Sequence, residues 1–172
     1  TLINSSDEVM LCLKAAFKNA GVTIDESRLT PNIIGPPLID IVKFVAEGFS
    51  DEAVLENAAN EFRKVYDYDE NDPSHLYENI YEWLVELKQS GKRLFLATNK
   101  PTIPTIRLIK KLKLDMFEEF YTIDKYEGKE ISKKEMIAEI IEKNNLNKSE
   151  TIMVGDAPSD IKAAHANKIK AI

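Results

Sequence analysis

The chain has one cysteine, Cys12, so no disulfide can form within it, and it suits a reducing compartment. No stretch approaches the roughly 20 apolar residues of a membrane-spanning helix, and no signal peptide is visible. The expectation is a soluble, cytoplasmic protein with no membrane partner. Basic character is scarce as well. The 172 residues carry 23 Lys and Arg against 29 Asp and Glu, a net charge of −6, and Lys and Glu are interleaved rather than blocked. Without a basic stripe or an RNA-binding signature, nucleic acid is not an expected partner. Internal repeats and low-complexity tracts are lacking too. The two histidines, His75 and His165, have no acidic or cysteine neighbour at metal-ligand spacing, so surface or helix-end places are expected for both.

What is present falls into two halves. The first reads as helices. Ser5 three residues before Glu8 forms a capping signal. Val9, Leu13, Ala16 and Phe17 then recur at helical spacing until Gly21, and Cys12 within that pattern reads as buried filler. A second helix is expected from near Pro37, through Leu38, Ile41, Val42 and Val45. A third follows Ser50, with Val54, Leu55, Ala58, Phe62 and Val65 on one face. Residues 66–73 are polar and breaker-rich and mark a boundary.

The second half alternates. A helix through Ile80, Trp83, Leu84 and Leu87 should end at Gly91, with Trp83 in the core. Residues 93–97 form an apolar run suited to a strand buried on both faces. Then come a helix over 103–113, a strand over 120–123, a helix over 132–143, a strand over 151–154, a helix after Pro158 and a last strand over 169–172. Such alternation predicts a parallel, layered α/β sheet beginning near His75.

Three polar groups fall just past the strands. Thr98-Asn99-Lys100 supplies a hydroxyl and an amide, and residues 128–133 form a Lys-rich helix start. In Val154-Gly155-Asp156-Ala157-Pro158-Ser159-Asp160, Pro158 suits the first helical position. That puts Asp156 in the turn and Asp160 in the first helical turn. Two carboxylates together repel unless a cation or proton sits between them, and Mg²⁺ is a natural occupant. Both acids could equally be ordinary caps complementing the helix dipole. Hydroxyl, ammonium and paired acids at successive strand ends nevertheless make a phosphate-plus-metal kit.

This order of motifs resembles the haloacid dehalogenase superfamily, in its phosphoglycolate phosphatase-like branch. Thr98 matches the second motif, and Thr98-Asn99-Lys100-Pro101 is similar to that branch's wording. Asp156 and Asp160 match the fourth motif, Gly-Asp-x-x-x-Asp. Thr1-Leu2 resembles the tail of the first, Asp-x-Asp-Gly-Thr-Leu. Gly35-Pro36-Pro37-Leu38 and Phe62-Arg63 are similar to cap segments of the branch. The resemblance implies an α/β fold: a three-layered, Rossmann-like parallel-sheet core (residues 1–4 and 73–172) with an inserted all-helical cap (5–72). It implies a Mg²⁺-dependent phosphatase of small phosphorylated metabolites, working through an aspartyl-phosphate. Thr98 and Lys133 would be catalytic; Thr98, Asn99 and Lys133 would bind phosphate; Asp156 and Asp160 would hold the metal.

The match departs in places. Both motif-one aspartates would precede Thr1, and the end also looks clipped. Enzymes speed phosphate monoester hydrolysis by up to about 10²¹-fold, so the stretch as written is expected to be inactive, and active once its upstream strand is restored. No Pro follows either candidate motif-three lysine. Lys133, with Ser132 before it and Ile137 four residues on, is preferred over Lys129. Lys168 stands where relatives often have Gly. Arg63 could reach a substrate carboxylate or pair within the cap. A sugar phosphomutase on the same scaffold, and a non-catalytic member binding phospholigands or a protein, are the alternatives. Substrate identity and oligomeric state are left open.

Overall fold

The structure, a computed structural model, describes residues 1–34, 38–46 and 51–172. The expected helix start at Pro37, the Gly35-Pro36-Pro37 resemblance and the Ser50 helix signal fall outside the described residues. Contacts divide the chain into two compact units, one of residues 3–75 and one of residues 1–2 with 76–172.

The unit of residues 3–75 is built from α1 (Ser6–Asn19), α2 (Leu38–Val45) and α3 (Glu52–Asp67); the short strands β1 (Ile3–Asn4) and β2 (His75–Leu76) pair with each other. Its core joins Cys12, Leu13, Ala16 and Phe17 of α1 to Val42 and Val45 of α2 and Leu55, Ala58 and Ala59 of α3. These positions recur every three or four residues, so each helix turns one apolar stripe inward. Burying each large side chain contributes about 2 kcal/mol. Gly21, at φ 71°, closes α1 while Val22 N–H donates to the Phe17 carbonyl, a left-handed C-terminal turn that glycine adopts without strain.

Two expectations for this unit are corrected. Glu8 does not cap α1. It is fully buried, and its Oε2 accepts from Ser74 Oγ at 2.8 Å, whereas Asn4 Oδ1 takes the Ser6 N–H at the helix start. A partner 66 residues away outcompetes the local box, because burial makes an unpaired carboxylate costly. Tyr66, read as the start of a polar boundary, is instead buried and stacked on Phe62, with ring centroids 5.0 Å apart. The third helix is capped by Asp51, whose carboxylate accepts from Ala53 N–H at 3.0 Å.

The other unit contains α4 (Ile80–Gln89), β3 (Phe95–Thr98), α5 (Thr102–Lys111), β4 (Glu119–Thr122), α6 (Lys133–Lys143), β5 (Ile152–Met153), α7 (Pro158–Ala166) and β6 (Lys170–Ala171). Strands β3 and β4 pair in parallel with Thr98 opposite Thr122, and β5 and β6 pair in parallel. The alternating, parallel α/β organisation is as expected. Each boundary lies within two residues of its reading from sequence.

Helix α6 is the packing centre. Met136 and Ile140 join Tyr121 and Ile131 beside β3, while Ile137 and Ile141 join Ala163, Ala164 and Ile169 beside α7. The two i,i+4 pairs are offset by one residue, so one helix serves two neighbouring clusters. Trp83 is another correction: it is 38% exposed, and the next residue, Leu84, carries the buried face of α4.

Candidate functional site

The acidic turn forms as its sequence dictates. Pro158 takes the first helical position of α7, Asp156 lies in the turn and Asp160 in the first helical turn. The two acids then differ. Asp160 is 3% exposed with both carboxylate oxygens engaged: Oδ1 lies 2.5 Å from Lys133 Nζ, and Oδ2 accepts from Ala157 N–H at 3.2 Å. Asp156 is exposed, and its Oδ1 accepts from the Thr1 hydroxyl and lies 3.0 Å from the Thr1 nitrogen. The bond from the Thr1 hydroxyl is the foremost cause holding the Asp156 carboxyl below its usual range.

Gly155 explains how Asp160 fits so closely against the turn. A Cβ added there would stand 2.5 Å from the Asp160 Cβ, closer than real side-chain carbons approach. The backbone passes over the carboxylate only because residue 155 has no side chain.

Lys133 is aimed by a cap. Ser132 Oγ accepts from Glu135 N–H at 3.3 Å, and Ser132 N–H donates to Glu135 Oε2 at 2.7 Å, a reciprocal capping box. A lysine in a first helical turn opposes the helix dipole, and Asp160 supplies the compensating charge. Lys129, the other candidate, is exposed and lies 3.8 Å from Glu135, away from this pair.

Thr98 ends β3, half-buried, and its Oγ1 accepts from Lys100 N–H at 3.1 Å; Asn99 beside it is exposed. Sequence reasoning passed over Asp124, two residues beyond β4. Its Oδ1 accepts from both the backbone N–H and the hydroxyl of Thr102, each at 2.8 Å. The signal available was an acid just past a buried strand, where ligand-facing loops begin.

The structure thus brings Lys133 to Asp160 and Thr1 to Asp156. Among the described residues no group of three or more His, Cys, Asp or Glu gathers. His75 and His165 are exposed, and Arg63 donates to Asn60 Oδ1 at 2.8 Å within α3.

The chain belongs to the haloacid dehalogenase-like hydrolases: residues 1–172 match that family's profile. The expected likeness to phosphoglycolate phosphatases is found as well. The phosphoglycolate phosphatase of Nitrosococcus oceani is 25% identical over 171 residues, covering 96% of this chain and 76% of that protein. The tyrosine-protein kinase PtkA of Mycobacterium tuberculosis is 24% identical over the whole chain, which spans only 58% of that relative's length. Among solved structures, a candidate phosphatase from Clostridium difficile superposes with a TM-score of 0.86 at 27% identity, covering 99% of this chain and 79% of that one.

Proposed function

We propose that the full-length protein is a phosphoric monoester hydrolase acting on small phosphorylated metabolites, phosphoglycolate-like in kind, with residues 5–72 as a helical cap. The observation that carries the reading is the Lys133–Asp160 ion pair beside the Asp156 turn. An ammonium paired with a carboxylate supports it, because a dianionic phosphate and a divalent cation call for neighbours of those kinds. Family membership and the phosphoglycolate phosphatase relative support it.

The residues divide the work. Thr98 Oγ1 accepts from Lys100 N–H, so its own proton is left to donate to a phosphate oxygen. Asn99 adds an amide donor from the same loop. Lys133, steered by Asp160, balances charge that builds on the phosphoryl group. A hard cation would suit Asp156, whose exposed carboxylate offers an oxygen ligand. Mg²⁺ would be held through Asp156; Asp160, which the resemblance also implies as a ligand, has its two oxygens on Lys133 and the Ala157 N–H, and the ion would supply Lewis-acid polarisation of the phosphoryl oxygens. An aspartyl-phosphate route also needs a nucleophilic aspartate. The resemblance puts it in the family's Asp-x-Asp-Gly segment. Localisation in the cytoplasm belongs to the same reading.

A panel of phosphorylated metabolites incubated with the full-length protein, with Mg²⁺ or with EDTA, tests this. Mg²⁺-dependent phosphate release supports the reading, and release unaffected by EDTA contradicts it. The likeness to PtkA favours a second outcome, phosphoryl transfer to an acceptor other than water. Labelled phosphate appearing on protein tyrosine rather than in solution distinguishes the two.

A further inference from the structure

From the contacts of the β4 end we infer that Asp124 is a positioning residue for the phosphate-binding loop between Thr98 and Thr102. The inference rests on the proposed function and adds a residue to it. Helix α5 begins with a handicap. Its N-cap position is Pro101, which has no side-chain oxygen to accept the helix's first N–H groups. Asp124 supplies that acceptor from another strand, taking the Thr102 N–H and hydroxyl together at 2.8 Å each. Thr102 spends its only hydroxyl proton on Asp124. The Thr122 hydroxyl therefore donates to Thr102 Oγ1, 2.6 Å away, giving a chain Thr122→Thr102→Asp124. Thr122 is buried and directly opposite Thr98 in the strand pair.

The geometry leaves the loop little freedom. Only Asn99, Lys100 and Pro101 separate Thr98 from Thr102. One end is held by Lys100 N–H on Thr98 Oγ1, and the other by Asp124 and by Thr105 Oγ1, which donates to the Pro101 carbonyl at 2.7 Å. Bonds to a carboxylate are roughly twice as strong as neutral ones, so Asp124 is the firmer anchor. With it in place, the Asn99 amide and the Thr98 hydroxyl meet a phosphate already arranged, and loop ordering is not charged against binding.

Asp124→Ala and Asp124→Asn in the full-length protein separate this role from general stability. Asparagine keeps an acceptor oxygen for Thr102, and alanine does not. Two readouts are taken: amide hydrogen exchange of the 99–106 segment, and inhibition by inorganic phosphate. In the alanine variant, exchange of that segment should quicken and the phosphate inhibition constant rise, each about fivefold, while exchange in α6 and α7 stays unchanged. The asparagine variant should restore both to within about twofold of wild type. Unchanged loop exchange in Asp124→Ala overturns the inference, as does faster exchange with unaltered phosphate inhibition, which would make Asp124 a helix cap only. If the wild-type protein neither hydrolyses phosphate esters nor binds phosphate, the proposed function itself fails and this inference falls with it.

Discussion

Lys133 Nζ lies 2.5 Å from Asp160 Oδ1, with 15% and 4% of the two side chains exposed. A pair so enclosed is costly to break from one side, because the surviving charge has no partner. Asp160→Asn keeps an acceptor for Ala157 N–H yet strands the lysine, and should cost about 3 kcal/mol. Adding Lys133→Met should recover part of that loss, so the double variant costs less than the two singles summed. Urea unfolding of the four proteins checks this; strict additivity would show that the pair is not coupled.

Gly155→Ala should be as damaging as a core substitution. The new methyl meets Asp160 at 2.5 Å from its Cβ, and Asp160 is tethered to Lys133 and Ala157, so neither side can yield. A loss of about 2 kcal/mol is expected, together with loss of phosphate-ester turnover. A stable, active Gly155→Ala protein would show that the turn is looser than described.

Lys168 adopts φ 58° just after α7, where its N–H donates to the His165 carbonyl and the next N–H to the Ala164 carbonyl. A left-handed residue at a helix end favours glycine, so Lys168→Gly should stabilise by about 1 kcal/mol, and Lys168→Val should destabilise. Thermal melts of the two variants give the answer. A lower Tm for the glycine variant would contradict it.

Arg93 clamps three elements, donating to Glu118 at 2.8 and 2.9 Å and to the carbonyl and side chain of Asn144. Its hydrogen bond with Glu118 holds that carboxyl below the usual 4.5. A group whose folded pKa is depressed adds stability above its unfolded value and loses it as pH falls through the folded one. Arg93→Met should therefore lower Tm at pH 7, with the gap to wild type closing as pH drops well below 4.5. A gap that stays the same down to acid pH would mean the clamp works through the neutral Asn144 contacts alone.

Much of this was legible from local pattern. The Gly-Asp-x-x-x-Asp turn, the Ser132–Glu135 box and the strand-helix alternation are short-range signals, and each acts within a few residues. The family resemblance placed Lys133 ahead of Lys129; the structure pairs Lys133 with Asp160 and Lys129 with Glu135. What stayed hidden depended on partners distant in sequence. Glu8 looked like a cap because Ser74, which claims it, lies 66 residues on. Asp124 was passed over because its partner Thr102 stands 22 residues upstream. Trp83 and Leu84 are neighbours on α4, and periodicity alone could not say which of them faces inward.

The most direct test is phosphate release from para-nitrophenyl phosphate by the full-length protein and its Asp156→Asn and Lys133→Met variants, each with Mg²⁺ and with EDTA. Turnover that needs Mg²⁺ and falls at least about a hundredfold in either variant is the predicted result. Wild-type turnover in EDTA, or variants as active as wild type, would contradict the account.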